Sequence, residues 1–333
     1  MDTHLNRGTV YRKSKGLYTV RTTDGGSILC HVSGMLHKQL IYPSRDRSSL
    51  SHFEVQSVDD IDMVDPVAVG DDVLFSDALN DEGLITEVLP RRSKLTRRAS
   101  GEKPFEQVIV ANVDQIVAVI AAAQPSPKWN MLDRYLAGAE ASGVPMVICV
   151  TKLDLVRGKK QERKLMETVD EYRNIGYTVH LTSSMDGFGV EPFRHAMKDK
   201  VSALVGMSGV GKTTLLNAIQ PELGLRVKEI NRRIDKGRHT TTHLEMFSLE
   251  MGGAVVDTPG MKLFGLWQIE PEEMDFLYRE IAPYHGLCKF GASCTHDHEP
   301  DCAVKAAVET GEISERRYES YLDLREYVFA KGK

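Results

Sequence analysis

The chain has no apolar stretch long enough to cross a bilayer. Its longest, Ile116 to Ala123, is eight residues, against the roughly twenty that a helical span needs. It has no excess of positive charge: 42 Lys and Arg against 47 Asp and Glu give a formal charge of -5. That excludes a protein that coats nucleic acid along its whole length and leaves any RNA contact to local basic patches. Cysteine is scarce and unevenly placed. Of the five, three crowd between Cys288 and Cys302, which suits a metal site better than a disulfide framework. The first residues, Met1 to Val10, are polar and lack the apolar core of a signal peptide, so a cytoplasmic protein without membrane attachment is expected.

What is present is ordinary soluble composition, 41% hydrophobic and 27% charged over 333 residues, enough for two or three domains. Short strand patterns open the chain: Thr9-Val10-Tyr11, Tyr18-Thr19-Val20, Ile28-Leu29-Cys30 after the turn Asp24-Gly25-Gly26, Asp72 to Phe75, and Leu84 to Leu89 after Asn80 to Gly83. Five such strands in about ninety residues predict a small closed barrel of OB type. Tyr42 to Pro66 is polar and acidic and reads as an insertion or long loop. Pro90 ends the barrel, and Arg91 to Arg98, the densest basic run, reads as a linker. From Gln107 the pattern becomes buried strands (Gln115–Ala122, Pro145–Val150, Tyr177–Leu181, Val201–Val205, Ala254–Val256) alternating with helices such as Met131–Ala141 and Lys159–Asn174. That alternation predicts a doubly wound parallel α/β sheet. From Pro271 the chain reads as helical, interrupted by a Cys/His cluster. The expected architecture is thus multidomain: a barrel over 1–98, an α/β domain over 99–270 and a helical metal-binding domain over 271–333.

Gly206-Met207-Ser208-Gly209-Val210-Gly211-Lys212-Thr213 matches the phosphate-loop pattern in full, between an apolar strand and a helix beginning near Thr214. Its backbone N–H groups suit phosphate, Lys212 suits the β/γ-phosphates, and the Thr213 hydroxyl suits Mg²⁺. Thr151-Lys152-Leu153-Asp154 ends another strand. An Asp there can accept from both N1–H and N2–H₂ of guanine, a donor pair that adenine lacks, and the Lys152 stem can lie along the base. Ser183-Ser184 follows the next strand, where backbone N–H groups could meet guanine O6. Asp257-Thr258-Pro259-Gly260 is placed to hold Mg²⁺ through Asp257 and to sense a γ-phosphate through the Gly260 N–H. Arg238-His239-Thr240-Thr241-Thr242, in a polar stretch before it, is where a Mg²⁺-binding Thr belongs; Thr241 is favoured, with Thr240 the close alternative.

The base-reading motifs precede the phosphate loop, the reverse of the usual GTPase order. The sheet can still assemble, because each motif needs only its place at a strand's C-terminal end. The position that often carries a water-orienting Gln is Met261, so slow intrinsic hydrolysis is expected, with His239 the candidate to position water or act as base. Cys288, Cys294, His296 and Cys302 form C-x5-C-x-H-x5-C, a set compatible with one tetrahedral structural Zn²⁺; His285 and His298 are reserves. Cys30 and Cys149 fall in strands and read as core.

Taken together, these segments resemble the RsgA/YjeQ family of small-ribosomal-subunit-dependent, circularly permuted GTPases. The matching residues are Ala111 to Gln115, Thr151 to Asp154, Gly206 to Thr213, Gly237 to Thr242, Asp257 to Gly260 with Phe264 to Trp267, Cys288 to Phe290 through Cys302 to Val304, and Val69 to Asp71 in the barrel. Three features depart from the family pattern: Ser184 in place of Ala, a longer Tyr42–Pro66 segment, and one extra residue between Cys288 and Cys294. The resemblance implies GTP hydrolysis to GDP, a catalytic role for His239 alongside Lys212 and Thr241, Mg²⁺ and Zn²⁺ as ions, and a monomer. Its implied partner is the small ribosomal subunit and its rRNA late in maturation. Arg91, Arg92, Lys94, Arg97 and Arg98, with Arg232, Arg233 and Arg238, are the expected rRNA-facing cations.

Overall fold

In the computed structural model the described residues are 5–14, 16–41, 57–60, 65–77, 82–98, 106–221, 223, 244–257, 264–266 and 269–330. They fall into two compact units. One holds the described residues up to Asn112 together with 244–246; the other holds the rest from Val113 onward.

The first unit is built on β1 (Asn6–Ser14), β2 (Leu17–Thr22), β3 (Ser27–Val32), β4 (Lys38–Ile41), β5 (Ser57–Asp60), β6 (Asp72–Asp77), β7 (Glu82–Val88), β8 (Lys94–Arg98) and β9 (Glu106–Ala111). Strands β1-β2-β3-β7-β6 close into a barrel, with β6 pairing back onto β1 and β3 running parallel to β7. Alternation drives closure: Val10, Val20, Cys30, Val73, Phe75 and Ile85 point inward and pack together, while their neighbours stay wet. This is the expected OB-type barrel.

Two readings of this region change. The Tyr42–Pro66 segment is not loop throughout, since Ser57–Asp60 pairs antiparallel with Lys38–Ile41. The basic run is not a solvated linker either. Lys94–Arg98 pairs antiparallel with Glu106–Ala111, burying Leu95 and Thr96. Its first cation is consumed internally: Arg91 Nε and Nη2 donate to the two Asp71 carboxylate oxygens at 2.6 and 2.7 Å, and Nη2 also donates to the Pro66 carbonyl. The Asp71 side chain is fully buried. Asn112, at a left-handed φ of 55°, accepts from the Arg92 N–H and donates to the Gly70 carbonyl, so this hairpin is knitted to the barrel. Lys94 and Arg97 reach Glu106 and Gln107 across the hairpin.

The second unit carries β10 (Gln115–Ala121), β11 (Met146–Thr151), β12 (Thr178–Leu181), β13 (Val201–Val205) and β15 (Ala254–Asp257), with β14 (Met246–Ser248) at one edge of the sheet. The sheet order is β12-β11-β10-β13-β15-β14, and the first five pair in parallel. Central β10 is buried at all seven positions, as expected of a strand covered on both faces. The helices are α1 (Trp129–Ser142), α2 (Lys160–Asn174), α3 (Val190–Met197), α4 (Lys212–Ile219), α5 (Ala303–Glu309) and α6 (Glu315–Ala330). In α2 only Leu165, Val169 and Tyr172 are buried, one stripe of an otherwise solvated helix. α1 stops at Gly143, whose φ of 63° lets its N–H close back on the Ala139 and Glu140 carbonyls.

The tail differs from a plain helical reading. Between Pro271 and Cys302 the backbone makes short 3-10 turns, and α-helix returns only at Ala303. Its core, with Met274, Tyr278, Ile281, Tyr321 and Leu324, surrounds the three cysteines and reaches Ala137 of α1.

Candidate nucleotide site and Cys/His cluster

The described nucleotide motifs lie at the C-terminal ends of parallel strands. β13 runs into Gly206, β11 ends at Thr151, β12 leads to Ser183, and β15 ends at Asp257. Leu204 stands in register with Asp257 on the neighbouring strand. The phosphate loop and the Asp257 backbone therefore leave the sheet side by side, the relation that a shared Mg²⁺ between Thr213 and Asp257 requires.

The phosphate loop itself demands glycine. Gly206 has φ 153°, and a Cβ there would stand 2.4 Å from the Val119 carbonyl oxygen. Gly211, at φ 97°, hands the chain to α4. The Lys212 ammonium lies against the loop, donating to the Gly206 and Met207 carbonyls at 2.7 and 3.2 Å.

The segment that follows β11 is tied to that loop directly. Lys152, at a left-handed φ of 57°, donates through Nζ to the Gly209 carbonyl at 2.7 Å and to the Gln124 carbonyl. The Thr151 hydroxyl donates to the Val210 carbonyl. Asp154 is held by the Ser183 hydroxyl at 2.8 Å. Thr151 and Lys152 thus touch the phosphate loop, while Asp154 and Ser183 pair with each other. The Ser183 N–H donates to the Phe188 carbonyl at 2.9 Å. Gln124 was not foreseen, because a backbone acceptor leaves no trace in residue type. His239, Thr240, Thr241 and Gly260 lie outside the described residues, as do Arg232, Arg233 and Arg238.

Far down the same unit, Cys288, Cys294, His296 and Cys302 bring their ligand atoms within 4.8 Å of one another, and all four are buried. Cys288 Sγ and Cys302 Sγ are 3.8 Å apart, and His296 Nδ1 lies 3.4 and 3.3 Å from them. Tetrahedral Zn–S bonds of about 2.3 Å imply S···S edges of about 3.8 Å, so the donor set and its spacing fit zinc. Burial, followed by the contacts with Cys288 and Cys302, pushes the Cys294 thiol up to about 12; a cation is what makes thiolate favourable in such a pocket. Between the first two cysteines, Gly291–Ser293 forms a 3-10 turn. Neither reserve histidine joins: His285 Nδ1 sits 2.9 Å from Asp275, and the His298 side chain is 81% exposed. Cys30 and Cys149 are buried core residues.

A P-loop GTPase whose base-reading strands precede its phosphate loop is the class that this fold and this site define. A family model described as RsgA GTPase matches residues 88–267. The chain belongs to the RsgA GTPase family. It is 37% identical over 323 residues to the small ribosomal subunit biogenesis GTPase RsgA of Phocaeicola vulgatus, covering 96% of both chains. Its identity to the RsgA of Bacillus subtilis is 40% over 255 residues, 77% of this chain and 82% of that one. Among solved structures it resembles YjeQ from Thermotoga maritima, with a TM-score of 0.72 and 29% identity over 98% of this chain and 99% of that one. It also resembles YloQ, described as a circularly permuted GTPase, with a TM-score of 0.68 and 30% identity, covering 98% of this chain and 96% of that one. Among the described residues no helix is long and apolar enough to cross a membrane.

Proposed function

We propose that this GTPase acts on the small ribosomal subunit late in its maturation, hydrolysing GTP to GDP and phosphate with low intrinsic activity that the subunit stimulates. The observation that supports the reading is the contact of Lys152 with the phosphate loop, two residues before an Asp154 held by Ser183, in a chain 37% identical to a small-subunit biogenesis GTPase. Function divides over a barrel domain (1–98), a GTPase domain (99–270) and a metal-binding tail (271–333).

In this reading Lys212 neutralises the β/γ-phosphates, Asp154 accepts from guanine N1–H and N2–H₂, and Ser184 offers its N–H to O6. Gly206, Met207, Ser208, Gly209, Val210, Gly211 and Thr214 complete the phosphate cradle. Thr213, Thr241 and Asp257 hold Mg²⁺, which supplies charge neutralisation on the phosphates. The Gly260 N–H senses the γ-phosphate, and His239 orients the attacking water. Cys288, Cys294, His296 and Cys302 hold one structural Zn²⁺. The protein works as a cytoplasmic monomer, and rRNA phosphates are met by cations other than Arg91, whose guanidinium is spent on Asp71.

The test is turnover of γ-labelled GTP by the purified chain alone, with small subunits and with large subunits. Release of inorganic phosphate that rises with small subunits alone supports the proposal. Equal rates in all three arms, or label transferred to an acceptor other than water, overturn it.

A further inference from the structure

One carboxylate outside the ligand set is built into the Cys/His cluster. Asp275 belongs to the turn Pro271–Leu277, fixed at its start by a reciprocal pair of hydrogen bonds between Glu270 and Glu273. Its side chain is only 5% exposed. Asp275 Oδ2 lies 3.2 Å from His296 Nε2, while the opposite ring nitrogen, Nδ1, faces Cys288 and Cys302. The carboxylate is itself saturated: Oδ1 accepts from the Tyr321 hydroxyl at 2.7 Å, and Oδ2 also faces His285 Nδ1 at 2.9 Å.

The backbone under His296 is equally constrained. Its φ of 62° is left-handed for a non-glycine residue, a conformation that costs energy and persists only where the surroundings over-determine it. The Tyr318 hydroxyl donates to its carbonyl, and the ring of Tyr321 packs 6.0 Å from the imidazole. Both tyrosines come from α6, one helical turn apart. An imidazole ligand needs one nitrogen unprotonated toward the metal and the other N–H toward an acceptor; which is which depends on what the second nitrogen meets. Here the second nitrogen meets a buried, oriented carboxylate.

Resting on the zinc reading above, we infer that Asp275, oriented by Tyr321 of α6, is the outer anchor of the metal centre: it holds His296 as the Nε2–H tautomer, so that zinc is taken through Nδ1. Metal retention then depends on a turn some twenty residues upstream of the ligand and on the docking of the C-terminal helix, neither of which supplies a ligand.

The test uses the full chain and zinc alone. Nitrogen-15 NMR of the zinc-loaded wild type reports which His296 nitrogen carries the metal, and competition with a chromophoric chelator reports affinity for wild type, Asp275→Asn, Asp275→Ala and Tyr321→Phe. The expected result is Nδ1 ligation with Nε2 protonated. Zinc affinity should fall about 10- to 100-fold in the two Asp275 variants and by less in Tyr321→Phe, which keeps the carboxylate. Nε2 ligation in the wild type, or affinity within twofold of wild type in both Asp275 variants, overturns the inference while leaving the zinc centre standing. A wild type that takes up no zinc overturns both. The NMR assignment requires no substitution, so a variant that fails to fold leaves the inference exposed to refutation.

Discussion

The C-terminal helix is held to the nucleotide-binding unit by a buried ionic cluster, and its energy is open to direct measurement. Arg317 donates through Nη1 to Asp133 of α1 at 2.6 Å and through Nε and Nη2 to Glu280. Side-chain exposure is 1% for Arg317, 0% for Asp133 and 8% for Glu280. Asp133 also accepts from Tyr172 of α2 at 2.6 Å and from Arg316 at 3.0 Å, and Arg316 reaches Glu171 at 2.8 Å. Replacing Arg317 with Met keeps most of the volume but leaves Asp133 and Glu280 as buried carboxylates with one cation, Arg316, beside Asp133. Removing one partner of such a buried pair costs about 3–5 kcal/mol, far more than the pair contributes against an apolar substitute. Trp129 is the natural reporter, its ring 5.8 Å from Tyr172 and beneath Arg316. In a Trp267→Phe background, urea unfolding followed by Trp129 fluorescence should show the Arg317→Met transition displaced by that amount. The double variant Asp133→Asn/Arg317→Met should recover at least about 1 kcal/mol of the summed single losses, because contacting residues do not act additively. A loss under about 1 kcal/mol for Arg317→Met, or strict additivity in the cycle, refutes the claim that this cluster docks the helix.

Three further outcomes follow. Arg91→Met should destabilise the barrel unit by about 3–5 kcal/mol by stranding buried Asp71, with the salt dependence of small-subunit binding unchanged. A flattened salt slope in a stably folded variant would return Arg91 to the RNA-facing set. Thiol labelling at pH 8 should find no reactive cysteine in the zinc-loaded folded chain and five after unfolding, since all five are buried and burial pushes Cys30 up to about 11 and Cys149 up to about 12; a fast thiol before unfolding contradicts the closed cluster. His239→Ala should lower subunit-stimulated turnover about 10²-fold or more at saturating GTP, the usual scale of a lost general base, and an unchanged rate removes His239 from the chemistry.

What could be read from residues alone was set by how local each signal is. β10 announces itself because seven consecutive positions are buried, and the phosphate loop because backbone conformation there requires glycine. The ligand set Cys288, Cys294, His296 and Cys302 is close in sequence as well as in space. The order of the motifs needed no geometry. By contrast, β8 was hidden because among its described side chains only Leu95 and Thr96 are buried, and its cations dominate the pattern. Arg91 looked available for RNA because its partner, Asp71, is twenty residues away and nothing in the spacing links them. Asp275 was invisible for the same reason: a carboxylate 21 residues before His296 has no local signature, and only folding makes it a neighbour. Asp133 in α1 reads as an ordinary helical acid until α6 arrives beside it. The acceptor of the Ser183 N–H, Phe188, is supplied by loop geometry that propensity does not report.

The proposed base recognition at Asp154 is the central claim of the nucleotide assignment. Nucleotide affinities of the purified chain should be measured for GTP, ATP and XTP, in wild type and in Asp154→Asn. Two hydrogen bonds to a charged acceptor, each worth about 1.5 kcal/mol or more, predict GTP bound at least about 100-fold more tightly than ATP, and a variant whose preference moves from GTP to XTP. Equal affinity for ATP and GTP in the wild type, or a variant that still favours GTP over XTP, contradicts it.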